Sequence, residues 1–323
     1  MKSFKSIFAA IIMVGLISFG LTACNQAAHQ GKTTSAISQK VVKPDTLNMS
    51  KDTLAMRVQQ KTMQEIQKRQ ARIEKEAIEV VKQTNQAMKF IYTGNAKKAE
   101  AALGTALDST KTLLKKHPND DLIPVDISVK AQDLITTIPQ VDKTVKMAKE
   151  EMTKGNYQEA AGLLNNLKSE IDITTVNLPL GGYPSGLKQA LGLLKKNKTK
   201  QAQQVLVGLL NSLVINQAIM PLPVLRAQVM MDEAQIMFNG KQDKAKVVNL
   251  LKNADYQLKL AQALGYGHFD KEYTDISNDI TKAKESVKNG SATSGTFDKL
   301  IKKTEAFKNK IVNDMKGTSP KKK

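Results

Sequence analysis

The side chains that could carry out chemistry are few and scattered along this sequence. Its three histidines are His29, His117 and His268, and no two of them share a segment at the spacing of metal ligands. No HExxH, GxSxG or phosphate-binding glycine loop accompanies them. Asp120 and Asp121 could form an acidic or metal-binding pair, but a turn that caps a helix is the favoured interpretation. Because no nucleophile stands beside a base, we predict no catalytic residue, no metal and no cofactor, and we expect no enzyme activity.

The single cysteine, Cys24, excludes an intramolecular disulfide and a zinc site built on several thiolates. Lys2 and Lys5 precede an apolar run of about 15 residues, Ile7–Leu21, which is shorter than the ~20 residues that span a bilayer. The run ends in Leu21-Thr22-Ala23-Cys24. This segment resembles the lipobox of bacterial lipoproteins, in which a diacylglyceryl group is attached to the cysteine and the chain is cleaved before it. We therefore predict a signal peptide over residues 1–23 and lipidation of Cys24. An ordinary secretory signal and an uncleaved anchor remain the alternatives.

The lipobox resemblance implies a place in the cell envelope. Asn25, rather than Asp, follows the cysteine, and in lipoproteins this favours the outer membrane over the inner one. We expect a lipid-anchored, periplasm-facing protein, with the soluble periplasm as the alternative. Residues 24–49 are polar and without periodicity, which predicts a flexible tether. The formal net charge of +19 would suit an anionic membrane or an acidic envelope polymer, and the location makes nucleic acid an improbable partner.

The composition predicts an all-α fold. Aromatic residues make up 4% of the chain, tryptophan is absent, and strand-like alternation of β-branched residues is missing. Residues spaced alternately three and four positions apart form a coiled-coil-like seam, which predicts one long helix over 50–93. The seam consists of Met63, Ile66, Gln70, Ile73, Ala77, Val80, Thr84, Ala87 and Ile91. The polar Gln70 and Thr84 favour packing within the chain, while an oligomer contact stays open. A homo-oligomer is our expectation.

Four turns share one layout, in which Gly or Asn lies five residues before an alanine. They are Gly94–Ala99, Gly155–Ala160, Asn197–Ala202 and Gly240–Ala245. Gly or Asn can end a helix in the left-handed conformation, and a small alanine lets two helices approach closely. Asn156 and Glu159 match a capping box. We predict a bundle of helical-hairpin repeats over 50–316, followed by a basic disordered tail over 317–323.

Two apolar, proline-containing segments interrupt the helices. Ile173–Gly186 holds prolines and glycines through which a helix cannot pass, yet it is apolar, so we predict a central connector packed between helices. Ile219–Pro223 is the second interruption. A short inserted helix is predicted over 126–136, between further prolines.

A ligand site, if one exists, is predicted where these two interruptions meet. Its candidate residues are Thr175, Asn177, Tyr183, Gln217, Arg226 and Tyr256. Interrupted helices leave polar groups facing inward, which a ligand could use. The alternative is that these side chains only satisfy the interrupted backbone.

Three segments resemble the YfdX family of bacterial envelope-associated helical proteins. They are Thr174–Leu180 with Tyr183-Pro184, Pro221–Ala227, and Tyr256–Gly267. The resemblance implies an all-α fold, a tendency to oligomerise and an association with acid and other envelope stress. It implies no established activity and no catalytic residues. Together with the lipobox, it predicts a non-enzymatic stress-protection protein that binds unknown protein or small-molecule clients as a holdase or scaffold. The alternative is a structural tether between the membrane and an anionic polymer, through Pro320–Lys323.

Overall fold

The computed structural model describes residues 43–44, 46–267 and 269–314, and the backbone of 317–318. In these residues the chain forms α1 (Lys51–Gln70), α2 (Lys75–Tyr92), α3 (Ala96–Lys116), β1 (Leu122–Gln132), α4 (Ile138–Thr153), α5 (Tyr157–Asn165), β2 (Glu170–Pro179), α6 (Tyr183–Lys195), α7 (Thr199–Asn211), β3 (Val214–Pro221), α8 (Leu222–Asn239), α9 (Lys244–Ala263), α10 (Asp270–Asn289), α11 (Ser294–Asp314) and β4 (Gly317–Thr318). The predicted all-α fold is confirmed in that the described chain is predominantly helical, but the small sheet was not predicted. The signal peptide, Cys24, His29, His268 and residues 319–323 lie outside the described residues.

The strands form one antiparallel sheet in the order β1-β2-β3-β4. The helical hairpin α4–α5 connects β1 to β2, and the hairpin α6–α7 connects β2 to β3. A helical hairpin returns the chain to the end of the sheet that it left, so the next strand runs antiparallel to the last. Gln132 pairs with Glu170 at one end and Leu122 with Pro179 at the other. The two hairpins therefore leave from opposite ends of the sheet.

The prediction of a helix over 126–136 is wrong, because residues 126–132 belong to the edge strand β1 and residues 133–136 follow it without regular structure. Its polar and apolar residues alternate from Asp126 to Lys130, a period of two that suits a strand and not a helix. Pro124 is tolerated because β1 is at the edge of the sheet, where an N–H is not required by a further strand. A register shift between Pro124 and Asp126 marks a β-bulge at the same place.

The segment Ile173–Gly186 is mainly strand β2, and the prediction of an irregular connector there is wrong. The prediction that this segment interrupts the helices and is packed inside the protein is correct, since Leu178 and Tyr183 are buried. Thr175 pairs with Ile127 on one side and Asn216 on the other, so the strand is central. Its β-branched residues favour a strand more strongly than the glycines that follow favour a loop.

Prolines mark the boundaries of these elements. Pro179 ends β2 and Pro184 lies in the first turn of α6. In the second interruption, Pro221 ends β3 and Pro223 lies in the first turn of α8. A proline suits the first turn of a helix because its missing N–H would have no partner there.

Helices pack on both faces of the sheet. One core is formed by α2, α3, α6 and α7 with Ile123 and Leu178. Ile171 and Ile173 belong instead to a core with α1 and α8, and they project from the opposite face of β2 from Leu178. A further core joins α8, α9, α10 and α11. Among the described residues, no helix is long and apolar enough to cross a membrane.

The single helix predicted over 50–93 is divided into α1 and α2, a correction to the sequence analysis. The break at Ala71–Glu74 contains neither glycine nor proline. The two halves enter different cores, because α1 packs on α8 whereas α2 packs on α3 and α7. In α2 the predicted seam is buried at every position: Ala77, Val80, Thr84, Ala87 and Ile91. The buried residues of α1 are Val58, Thr62 and Ile66.

All four predicted turns join consecutive helices that contact each other. Gly94 (φ 73°), Gly155 (φ 83°) and Asn197 (φ 56°) are left-handed, as predicted, whereas in the fourth turn Lys241 (φ 53°) takes this role instead of Gly240. The equivalence of the four hairpins as repeats stays a prediction.

The alanines of three turns, Ala99, Ala160 and Ala202, are buried between their helices, but Ala245 is exposed. The capping box predicted for Asn156 and Glu159 is not formed in the described structure. Asn156 Nδ2 donates instead to a carboxylate of α4, Glu151 Oε2, at 2.7 Å.

Both ends of the described region are attached to the helices and the sheet. Asn253 Nδ2 donates to the carbonyl oxygen of Thr46 at 2.8 Å, and Leu47 and Met49 pack against the core of α8–α11. At the other end, Gly317 and Thr318 pair with β3. The first residues of the predicted disordered tail therefore continue the sheet.

Candidate functional site

The six candidate ligand-binding residues are not brought together in one place. Thr175 and Asn177 lie on β2 and Gln217 on β3, while Tyr183, Arg226 and Tyr256 lie on α6, α8 and α9. Gln217 pairs with Thr174, so its side chain projects from the opposite sheet face to that of Thr175. Gln217 is exposed to solvent.

Two of the six residues support the alternative interpretation, in which polar groups satisfy their own surroundings. Asn177 Nδ2 donates to the carbonyl oxygens of Thr175 (3.3 Å) and Val214 (3.1 Å) and so crosslinks β2 and β3. The buried Tyr183 hydroxyl donates to Thr84 Oγ1 at 3.3 Å. Burial raises the pKa of Tyr183, so the phenol stays neutral.

Tyr256 positions the α4–α5 hairpin. Its ring is buried on α9, and its hydroxyl accepts a hydrogen bond from the backbone N–H of Ile138 at 3.4 Å. Ile138 is the first residue of α4, whose N–H has no partner within its own helix. The contact therefore attaches the start of the hairpin to α9.

Arg226 belongs to a polar network at the end of the sheet where β2 begins. It donates to Asp133 Oδ2 at 2.6 Å. The other oxygen, Asp133 Oδ1, accepts from Ser169 Oγ at 3.3 Å. The Ser169 N–H donates to the Tyr266 hydroxyl at 2.7 Å, and Tyr273 donates to the Tyr266 carbonyl oxygen at 2.8 Å. The network thus joins the segment after β1, the start of β2, the start of α8 and the turn after α9.

Glu170 is the buried acid of this network, with 4% of its surface exposed. Its carboxylate is hydrogen-bonded by the Tyr266 hydroxyl and lies 3.7 Å from Lys168 Nζ. Burial raises the pKa of Glu170, and the nearby Asp172 carboxylate adds to the effect. Burial and the Glu170 carboxylate also raise the pKa of Tyr266.

Sequence reasoning missed this network apart from Arg226. Asp133, Ser169 and Glu170 come from segments far from Tyr266 in the chain, so no spacing could have grouped them. The one local signal is an acid placed immediately before the apolar residues of β2. Perturbed acids of this kind cluster at functional sites, but structural networks produce them as well.

The network contains no histidine, and no group of three or more metal-binding side chains occurs among the described residues. Asp120 and Asp121 lie in the turn before β1, so the predicted turn is present, but it is followed by a strand and does not cap a following helix. Asp120 pairs with His117 Nδ1 at 3.0 Å, and the Asp121 carbonyl oxygen accepts from Leu180 N at 2.9 Å. These contacts connect α3 to the sheet.

A shallow depression of about 200 Å³ lies between α9 and α10. Its lining consists of Leu258, Lys259, Gln262, Tyr273, Thr274, Ser277 and Asn278. None of the six candidate residues takes part. Pockets for drug-sized ligands are larger, roughly 300–1,000 Å³.

The α4–α5 hairpin carries several exposed apolar side chains and few buried ones. Its buried residues are Val141, Ala148 and Ala160. Outside the hairpin, α4 packs mainly on α9. Large apolar side chains stay exposed along it and before it: Ile135, Met147, Met152, Tyr157 and Leu164. We call these five residues the hairpin surface.

The architecture defines a class: a predominantly helical protein in which helical hairpins alternate with the strands of a small antiparallel sheet. Residues 80–219 match the family model of the YfdX protein. The match begins in α2 and ends within β3, so the resemblance seen in the sequence is confirmed there.

A solved structure of YfdX from Salmonella Typhi is similar to this chain. It shares 16% sequence identity with a TM-score of 0.33, over 46% of this chain and 93% of that chain. No curated protein sequence matches this chain.

Proposed function

We propose that this protein is a lipid-anchored, periplasm-facing binding protein that protects the envelope under stress without catalysing a reaction. Its clients are proteins with exposed apolar segments, which it holds in the manner of a chaperone. The hairpin surface is the observation that carries this proposal.

A partner that covers an exposed large apolar side chain gains free energy from the apolar area removed from water. Ile135 and Tyr157 expose 72% and 68% of their surface. Met147 and Met152 add flexible, polarisable side chains, which adapt to partners of different shape. Such a surface suits many clients weakly and no single ligand tightly.

The hairpin also carries its own polar rim. Lys146 lies 4.0 Å from Glu150, and Lys154 pairs with Glu151 at 2.8 Å. These ion pairs are exposed and contribute little to stability. They keep the surroundings of the hairpin surface soluble while the apolar side chains remain accessible.

The test is suppression of client aggregation, followed by light scattering with a thermally unfolding model enzyme. The variant M147S/M152S/L164S should lose most of the suppression shown by wild type, about fivefold or more, because it removes apolar contact area. The matched control is M56S/V207S/I236S, which removes exposed apolar residues from other helices. Equal loss in both variants, or no suppression by wild type, would contradict the proposal.

The proposed anchor is tested separately. Cys24→Ser should abolish metabolic labelling with a lipid precursor and move the protein to the soluble fraction. Labelling that persists in this variant would overturn the lipoprotein assignment but would leave client binding untouched.

The alternative function is a tether from the membrane to an anionic polymer, for which the net charge of +19 is the supporting observation. An electrostatic tether should release its polymer in high salt, whereas apolar client binding should persist. Removal of residues 317–323 is the matching variant, and loss of polymer binding without loss of aggregation suppression would favour the tether.

A further inference from the structure

Two helical turns carry a concentration of lysines that the proposed client binding does not use. They are the turn between α2 and α3 and the turn between α6 and α7. Their exposed residues, which we call the basic end, are Lys89, Tyr92, Lys97, Lys98, Lys195, Lys196, Lys198 and Lys200.

Both turns lie at the same end of their helix bundle, away from the sheet. Lys116, at the end of α3, pairs with Glu74 just before α2 at 3.1 Å, so both helices meet near β1. Leu180, just before α6, hydrogen-bonds to Asp121 at the same end of the sheet. The four helices α2, α3, α6 and α7 therefore extend from the same end of the sheet.

The helix lengths place the two turns at a similar height. Tyr183, in the first turn of α6, reaches Thr84 midway along α2. From these positions α6 continues for about 18 Å to Lys195 and α2 for about 12 Å to Tyr92, at 1.5 Å per residue. The difference is about one helical turn, so both turns contribute to one surface.

The charge of the basic end is not neutralised by its neighbours. Between residues 89 and 100 and between 195 and 200, Glu100 is the single acidic residue. In the part of the chain that the structure describes, none of the seven lysines forms an ion pair, although Lys98 lies 5.8 Å above the ring of Phe90. The turn between α4 and α5 is different, because Lys154 there pairs with Glu151.

Tyr92 is the most exposed large apolar side chain described, at 87%. It lies among the lysines at the tip of the α2–α3 turn. An aromatic ring with a polar hydroxyl suits the boundary between lipid headgroups and acyl chains, and lysines suit anionic headgroups. A soluble polyanion would use the lysines but would gain little from the ring.

We propose that the basic end binds the anionic surface of a phospholipid membrane. The contact is peripheral: lysines pair with lipid phosphates, and the Tyr92 ring enters the interface. It requires no acylation of Cys24, and it leaves the hairpin surface, which is on other helices, free.

The experiment measures co-sedimentation of the full-length chain with phosphatidylcholine vesicles, with and without phosphatidylglycerol. Every protein, including the reference that we call wild type in this experiment, carries Cys24→Ser, so the amino-terminal segment contributes equally to all of them. Wild type should prefer the anionic vesicles, and this preference should fall with added salt. K195Q/K196Q/K198Q/K200Q should reduce the anionic partition coefficient about tenfold or more, since each lysine near such a surface contributes favourably.

The matched control, K282Q/K288Q/K299Q/K302Q, removes the same charge from exposed positions on α10 and α11 and should retain most of the preference. Tyr92→Ser should weaken binding, whereas Tyr157→Ser, at the neutral turn, should not.

The proposal would be overturned if both lysine variants lost binding equally, since net charge alone would then explain it. It would also be overturned if the Lys195–Lys200 variant bound as wild type does, or if wild type bound soluble polyphosphate but showed no preference for anionic vesicles. All substituted lysines and tyrosines are exposed, and unchanged thermal unfolding would establish that the variants fold.

Discussion

The hydroxyl of Tyr266, in the turn after α9, hydrogen-bonds to the buried carboxylate of Glu170 at the start of β2. The same hydroxyl accepts the N–H of Ser169 at 2.7 Å. One side chain thus connects the helices α8–α10 to the central strand, through an acid that burial makes harder to ionise.

Glu170→Gln should change the pH dependence of stability. Because the pKa of Glu170 is raised in the folded state from its ordinary 4.5, the protonated acid is favoured by folding. Its contribution to the free energy of unfolding is fully present below pH 4.5 and is lost as the pH rises through the folded pKa. The glutamine variant should therefore be more stable than wild type at neutral pH and nearly equal to it in acid, measured by thermal unfolding across pH.

Glu151→Gln is the control for this measurement. Glu151 is half-buried, and its pKa is lowered by Lys154 and Asn156, so the sign of its contribution is opposite. This variant should show no gain at neutral pH. A Glu170→Gln variant that was less stable than wild type at neutral pH would contradict the assignment of Glu170 as a desolvated acid.

Tyr266→Phe should destabilise the fold by about 1–3 kcal/mol, the cost of a buried group left without its hydrogen bond. Phenylalanine fills the same space, but the Ser169 N–H and the Glu170 carboxylate lose their partner. Urea unfolding measures the change. Tyr157→Phe, at an exposed position, should leave the midpoint unchanged, and an equal effect of both variants would rule out the network as the cause.

Local sequence signals were sufficient for the turns between helices and insufficient for the sheet. Each of the four predicted turns joins two consecutive helices, because the glycine, asparagine and alanine residues that mark such a turn act within a few residues. Strand β1 was predicted as helix although its residues alternate from Asp126 to Lys130. This period of two covers only five residues, and the partner strand β2 follows only after a whole helical hairpin, so the pairing that stabilises β1 cannot be recognised in a short window of sequence.

The prediction of the candidate site from the sequence had the same limit, because the partners of its residues are distant in the chain. Arg226 was selected because it follows an apolar proline segment, but its partner Asp133 lies in a loop without any motif. Asn177 was correctly recognised as inward-facing, and its partners proved to be backbone carbonyls. The sequence identifies polar residues at an interruption, but the tertiary fold decides whether they face each other.

Substitution of Arg226 and Asp133 tests whether these residues bind a ligand or only stabilise the fold. Both side chains are mostly covered, at 18% and 19% exposure, so loss of either leaves the other without its charge partner. Arg226→Ala should cost about 2 kcal/mol, and a double-mutant cycle with Asp133→Ala should give a coupling energy of about 1–2 kcal/mol. Asn177→Ala should cost about 1 kcal/mol.

A thermal-shift screen of these variants against envelope metabolites and drugs separates the two roles. If a compound stabilises wild type but neither Arg226→Ala nor Asn177→Ala, then these residues belong to a ligand site. If the variants lose stability and no compound binds wild type, the candidate site is purely structural.

Substitution of Gly94 by alanine should destabilise the α2–α3 turn by about 1–2 kcal/mol, because an L-residue at positive φ is strained. Gly94 has φ 73°, and a Cβ there would meet nothing within 4 Å, so the cost is conformational and not steric. The control is Gly104→Ala in the interior of α3, where space is also free and alanine should stabilise the helix by about 0.5–1 kcal/mol. Lys241→Gly, in the fourth turn, should relieve the same left-handed strain and raise stability. Chemical denaturation of the three variants gives the signs directly, and a stabilising Gly94→Ala would contradict the left-handed helix end on which the basic end is built.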